Sequence, residues 1–186
     1  MTLNRQPILQ DDALLLRPMT AADWPEISKV ASDPAIWAGH PASDRWQEPV
    51  FRAFFEDGLN SGGSLVAIDR SSDSIIGHSR YDHARAQAGE VEIGWTFLAK
   101  SHWARNHSID WNRRMKRLML AHALASVEQV IFLIGETNLI SQKAMANIGG
   151  RLLDRSFAWD MPNGTVTHLC FAIDRAGFAA GPLAQA

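Results

Sequence analysis

The residues best suited to chemistry fall in three short segments. In EVEIGWTFL, Glu90 and Glu92 stand two apart on an alternating strand and share a face. Either carboxylate could take a proton, or both could be charged residues on an exposed strand face. In ETNLISQKAM, Asn138 and Ser141 stand three apart at the start of a helix. That spacing caps a helix, and it can also offer an amide and a hydroxyl to a ligand. Between Lys100 and Arg117 lie six Lys/Arg against one Asp, with Trp103 and Trp111 interleaved. Such a run suits a phosphate group, a nucleic-acid strand, or a solvated helix face.

Other chemically able residues point less sharply. His102 and His107 are five apart, as are His78 and His83, and neither pair has the i, i+4 spacing of a helical metal site, so no metal is expected. Cys170 is the single cysteine, which excludes an intrachain disulfide and a cysteine zinc site and leaves a small buried hydrophobe. The 18 Lys+Arg and 20 Asp+Glu give a formal charge of −2, which excludes a globally basic nucleic-acid binder. No apolar run approaches the roughly 20 residues of a membrane span, and MTLNRQPILQDD lacks the apolar core of a secretory signal. A cytoplasmic protein is expected. The 186 residues, 46% hydrophobic, suit one domain over 1–186, with a structured core at about 12–174 and tails at 1–11 and 177–186.

The elements that must position these groups follow from periodicity. Leu14–Met19 reads as a strand. Thr20 and Asp23 then open a helix in which Trp24, Ile27 and Ala31 recur on one face before Pro34 ends it. PAIWAGHPASDRW reads as a loop, and a second helix spans about 48–60. Runs at 64–69, 75–82 and 89–98 read as strands, with Val91, Ile93, Trp95 and Phe97 alternating against Glu90, Glu92 and Thr96. A long helix spans about 110–126, a buried strand 130–135, and a short helix 141–148 ends at Gly149-Gly150. A terminal hairpin, 151–160 with 167–174, turns at 162–164. The order β-α-α-β-β-β-α-β-α-β-β is that of an α/β domain, a mixed twisted sheet with helices on both faces.

This order, together with EVEIGWTFL, SHW, WNRRMKRLMLAHAL and VIFLIGETNLISQKAMANIGG, resembles the GNAT superfamily of N-acetyltransferases. It is most similar to the branch that includes ribosomal-protein N-terminal acetyltransferases. The resemblance is specific over 89–150. It implies transfer of an acetyl group from acetyl-CoA, as co-substrate without a metal, directly to a primary amine. Thr96, Phe97, Leu98 and Ala99 would bond pantetheine as an added strand. The pyrophosphate would meet a loop and helix N-terminus, with Arg105, Asn106, His107 and Ser108 or the stretch Trp111–Arg114, including Asn112, Arg113 and Arg114, in that place. Asn138 would hold pantetheine. Glu92 would be the base, and Ser141 would assist near the thiol. Trp37, His40, Trp46 and Trp95 would line the acceptor pocket, and a small-molecule or peptide amine and a homodimer are the implied partners.

Two departures stand out. The stretch 103–114 has no glycine where the family's loop is glycine-rich, and Met145 stands where many members place a tyrosine. They keep a second class open, a GNAT-fold binding module that no longer transfers acyl groups. A third, a nucleic-acid-binding module, would use the basic segment 100–117.

Overall fold

The computed structural model describes residues 2–184 other than 107, 162 and 163, with the side chains of Arg105 and Met161 outside that description. Eight strands form one sheet in the order β1-β2-β3-β4-β5-β6-β8-β7. They are β1 (Leu9–Gln10), β2 (Leu14–Pro18), β3 (Ser64–Asp69), β4 (Ser74–Asp82), β5 (Glu90–Leu98), β6 (Gln129–Gly135), β7 (Arg151–Met161) and β8 (Gly164–Asp174). Neighbours run antiparallel except β5 and β6, the pair joined through a helix. The helices are α1 (Trp24–Ala31), α2 (Pro34–Trp37), α3 (Glu48–Ser61), α4 (Trp111–Leu124), α5 (Leu139–Asn147) and α6 (Arg175–Ala180).

Each face of the sheet has its own core. On one side, Trp111, Met115, Met119 and Leu120 of α4 pack on Leu65, Ala67, Ile76, Val91 and Ile93. On the other, Ile27 of α1 and Phe51 and Phe55 of α3 pack on Val66, Ile68, Ile75 and Phe97. Each such apolar side chain taken fully out of water stabilises the fold by roughly 1.5–3 kcal/mol. Thr20 and Asp23 form the expected capping box. Gly62, at φ 63°, ends α3 in the left-handed conformation that glycine adopts without strain.

The structure departs from the sequence expectations in three places. β5 does not alternate evenly. Trp95 has φ 53°, and the register with β4 shifts between His78 and Arg80, so β5 carries a bulge. Ile93 therefore belongs to the α4-side core and Phe97 to the α3-side core. The stretch after Pro34 is not wholly loop: Asp33 accepts from Ala35 N–H and caps the short helix α2. The ends are not loose tails. β1 adds to the sheet edge, α6 follows β8, and Leu3 and Leu183 are buried in the α4-side core.

Candidate active site

The site is built where β5 and β6 part. They pair only at Glu90–Glu92 with Gln129–Ile131. Beyond that, β5 keeps β4 on one edge and β6 keeps β8 on one edge, and the two facing edges diverge. Ala99 N–H bonds Ile76 O on the β4 side at 2.7 Å. Strand alternation then turns the amides of Thr96 and Leu98 away from β4, into the gap. The Leu98 carbonyl accepts from Trp103 Nε1 at 3.0 Å. An extended amide-bearing chain could add here as a strand. The predicted segment Thr96, Phe97, Leu98, Ala99 thus offers backbone, while the Phe97 ring is core.

Glu92 sits at the apex of the gap, on the face opposite Val91 and Ile93, and only 2% of it is exposed. Burial pushes its carboxyl up to about 7, against the pull of Arg85. Arg85 holds it by two bonds, Nε to Oε2 at 3.0 Å and Nη2 to Oε1 at 2.7 Å. The Arg85 guanidinium lies 5.1 Å from the Trp95 ring and 4.3 Å from the Trp159 ring. Arg80 covers Trp95 at 4.1 Å and is itself held by Asp57 and Asp82. Glu90 is different: the Gln87 backbone N–H, Arg155 and Gln129 all donate to its carboxylate, and these bonds hold it below the usual carboxylate range despite burial. The two carboxylates, alike in sequence and each paired with an arginine, are therefore pushed in opposite directions, Glu92 up by burial and Glu90 down by its hydrogen bonds.

The stretch 38–47 covers the far end of the gap. A Cβ on Gly135 at the end of β6 would stand 3.3 Å from Pro41 Cγ, and one on Gly39 would stand 3.9 Å from Ile140 of α5. His40 accepts from Ala42 N–H through Nδ1 and lies 3.4 Å from Arg45 Nη1. Burial and Arg45 push it down to about 3. Two of the tryptophans expected at an acceptor pocket are elsewhere. Trp37 is 2% exposed, packs on Phe97 and donates to Ala31 O at 2.8 Å, because α2 turns it into the core. Trp46 lines an outer groove with Trp24, Ser28 and Phe51. Trp95 does stand beside Glu92. Trp159, on the terminal hairpin, was not anticipated, since the sequence does not say which strand residues curl back over Arg85.

At the other end of the gap the α4 N-terminus is capped from within. The Asp110 carboxylate accepts Arg113 N–H at 3.0 Å. It fills the position where a helix N-terminus would otherwise offer an N–H to an anion. Arg113 donates to the Pro182 carbonyl, and Arg114 bonds Asp11 and Asp12. Both guanidiniums expected at the pyrophosphate are thus engaged within the protein. Asn106 Nδ2 donates to Lys100 O at 2.6 Å, Ser108 is exposed and Asn112 is half-buried on the first turn of α4. His107 and the Arg105 side chain lie outside the described residues. A nearby cavity of about 310 Å³ is lined by groups of both signs, Asp12 and Asp69 with Arg70 and Ser71, beside Ile109. Asn138 Oδ1 accepts Ser141 N–H at 3.1 Å and caps α5, which leaves the Asn138 side-chain NH₂ and the Ser141 hydroxyl without a hydrogen bond among the described residues. The residues thus suit a pantetheine arm along β5. Among the described residues, the Asp110 carboxylate at the α4 N-terminus suits a pyrophosphate poorly.

Lys116 was read only as one charge in a basic run. It is instead buried, and its Nζ donates to Thr96 Oγ1 at 2.6 Å. A lysine inside a WNRRMKRL run gives no local sign of burial. Only its place, one residue after the buried Met115, hinted at it.

A sequence model of the acetyltransferase (GNAT) domain matches residues 13–151. The chain belongs to that family. No curated protein matches it. Among solved structures it is similar to a GCN5-related N-acetyltransferase from Brucella melitensis, with TM-score 0.76 and 15% identity over 97% of this chain and 83% of that one. It is similar to a GNAT-family acetyltransferase from Bacillus anthracis, with TM-score 0.71 and 17% identity over 90% and 98%. It is also similar to Mycobacterium smegmatis RimJ, a structure in complex with CoA-disulfide, with TM-score 0.67 and 13% identity over 96% and 91%. At these identities the likeness is one of fold. Among the described residues no helix is long and apolar enough to cross a membrane.

Proposed function

We propose that the protein transfers an acetyl group from acetyl-CoA directly to a primary amine, with Glu92 as the general base. The observation that carries this reading is a buried carboxyl, held by Arg85, at the apex of two diverging strands. Acetyl-CoA supplies the activated thioester. The Thr96 and Leu98 amides bind its pantetheine arm along β5, and Asn138 closes the second wall from α5. Glu92, in its ionised form, accepts the proton released as the amine adds to the carbonyl. Arg85 holds Glu92 in one orientation and lowers the cost of its charge. Trp95, Trp159 and the stretch that carries His40 form the acceptor side. The acceptor is a small-molecule or peptide amine, in a cytoplasmic protein.

Asp110 favours a second reading, a GNAT-fold module that binds without transferring. The basic segment gives a nucleic-acid role little support, since Lys116 is buried and Arg114 is engaged by two carboxylates. Calorimetric titration with acetyl-CoA, followed by mass spectrometry of a panel of amines and N-terminal peptides, separates the readings. Binding with an acetylated product supports transfer. Binding with no product on any amine supports the module, and no binding at millimolar acetyl-CoA removes transfer and leaves the module with a different ligand.

A further inference from the structure

Lys116 buries an amine away from any carboxylate. It sits on α4 beneath the gap, where its Nζ bonds Thr96 Oγ1 of β5 and lies 5.6 Å from the Phe132 ring of β6. Phe132 is the first β6 residue past the last β5–β6 pair, so the amine spans the two diverging strands on the helix side. Thr96 Oγ1 also lies 2.8 Å from Ser79 Oγ, which makes a short chain Ser79–Thr96–Lys116. Among the described residues Lys116 makes no ion pair, and its one hydrogen-bond partner is neutral. Burying an ammonium without a counter-charge costs several kcal/mol. A methionine or leucine would fill the same space at no such cost.

Acyl transfer at this site leaves a thiolate that must take up a proton. Glu92 lies on the opposite face of β5 and is occupied with the amine's proton. On the helix side, Tyr81 donates its hydroxyl to the Met119 carbonyl and burial pushes its ionisation far up, so its proton is committed. Met145, also in that core, has no proton to give.

We propose that Lys116 is the proton donor to the departing thiolate. This rests on the acyl-transfer reading above. As the amine nitrogen bonds to the carbonyl carbon, the carbon–sulfur bond breaks and its electron pair goes to sulfur. The amine's proton passes to Glu92, and the Lys116 proton passes to sulfur, giving the free thiol. Lys116 is reprotonated from water when the thiol leaves, and Glu92 returns its proton to solvent. Burial brings the Lys116 amine down to about 7, in the range where an acid is both protonated and able to give its proton up.

The test compares CoA with desulfo-CoA, which lacks only the sulfur. Lysine 13Cε resonances of the wild-type protein are followed through a pH titration with each. The signal of Lys116, the buried one of the four lysines, is expected to move its midpoint upward by at least a unit with CoA and to stay put with desulfo-CoA. Calorimetry is expected to give tighter binding of CoA than of desulfo-CoA, and K116M is expected to erase the difference. Turnover of K116M should fall by about 10²-fold or more at unchanged KM, with the alkaline limb of the pH profile lost. A Lys116 resonance equally indifferent to both ligands in a protein that turns over would overturn the proposal and leave the acyl-transfer reading standing. Failure of the wild type to bind either ligand would overturn both. The resonance experiment needs no variant, so it decides even if K116M does not fold.

Discussion

At the residue scale the site rests on how one carboxyl and one guanidinium share a buried position. Glu92 pays for burial with a raised ionisation, and Arg85 returns part of that by two direct bonds. Glu92→Gln keeps the shape and removes the base, so kcat is expected to fall by about 10²–10⁴-fold while calorimetric binding of CoA stays within twofold. Unchanged turnover would show that Glu92 is not the base. Arg85→Met tests the other partner. Without the guanidinium the carboxylate loses its attraction, so its midpoint rises above about 7. The acid limb of kcat/KM, set by a base that must be ionised, is therefore expected to move to higher pH. A limb that stays in place or moves down would mean that some other group carries it. Glu90 makes the point from the negative side. It has the same residue type and strand face, yet the Gln87 N–H, Arg155 and Gln129 all donate to it, and it is expected to be silent in the pH profile.

At the element scale the decisive features are a strand that changes phase and a helix that caps itself. The strands and helices were legible because their apolar positions repeat, as with Met115, Met119 and Ala123 on α4. The bulge was not, because nothing in EIGWTF distinguishes a left-handed tryptophan from an extended one. That single residue puts Phe97 and Thr96 on the faces opposite to those even alternation gives, and so decides what each can touch. The loop before α4 was legible as glycine-free, but its consequence was not. Asp110, one charge in a basic run, turns out to be the N-cap that engages Arg113 N–H. Two substitutions separate its roles. Asp110→Asn keeps a capping oxygen and removes the charge, so CoA is expected to bind several-fold tighter, with pantetheine affinity unchanged. Asp110→Ala removes the cap, and is expected to cost about 1 kcal/mol of folding stability. CoA affinity that is the same in Asp110→Asn and wild type would show that the phosphates bind away from α4.

At the scale of the whole molecule, cooperative unfolding exposes every buried titratable group at once, so stability against pH counts protons that no single contact reveals. His78 lies fully buried between the Phe54 and Phe97 rings, and burial pushes it down to about 4. His40 is held at about 3. For both, the unfolded chain binds a proton below about 6.5 that the folded chain refuses, so their stabilisation is complete above that value and is lost as pH falls. Glu92 acts with the opposite sign. Its contribution is complete below its unfolded value of about 4.3 and is lost as pH rises through about 7. Lys116, lowered to about 7, contributes fully only above about 10.4 and loses this as pH falls through about 7. From pH 6.5 down to 4.5, the two histidines therefore outweigh Glu92, and the protein is expected to lose stability with acid well before its carboxylates are titrated. His78→Phe isolates one proton of that balance. The ring still fills the space between Phe54 and Phe97, the bond to the Trp95 carbonyl is lost at every pH, and only the slope changes. Urea midpoints converted to free energies are expected to show the His78→Phe slope lower than wild type by about 1 kcal/mol per pH unit on average across that window. Parallel slopes would mean that His78 is protonated in the folded chain, and the aromatic cage around it would then have to open to admit a counter-charge.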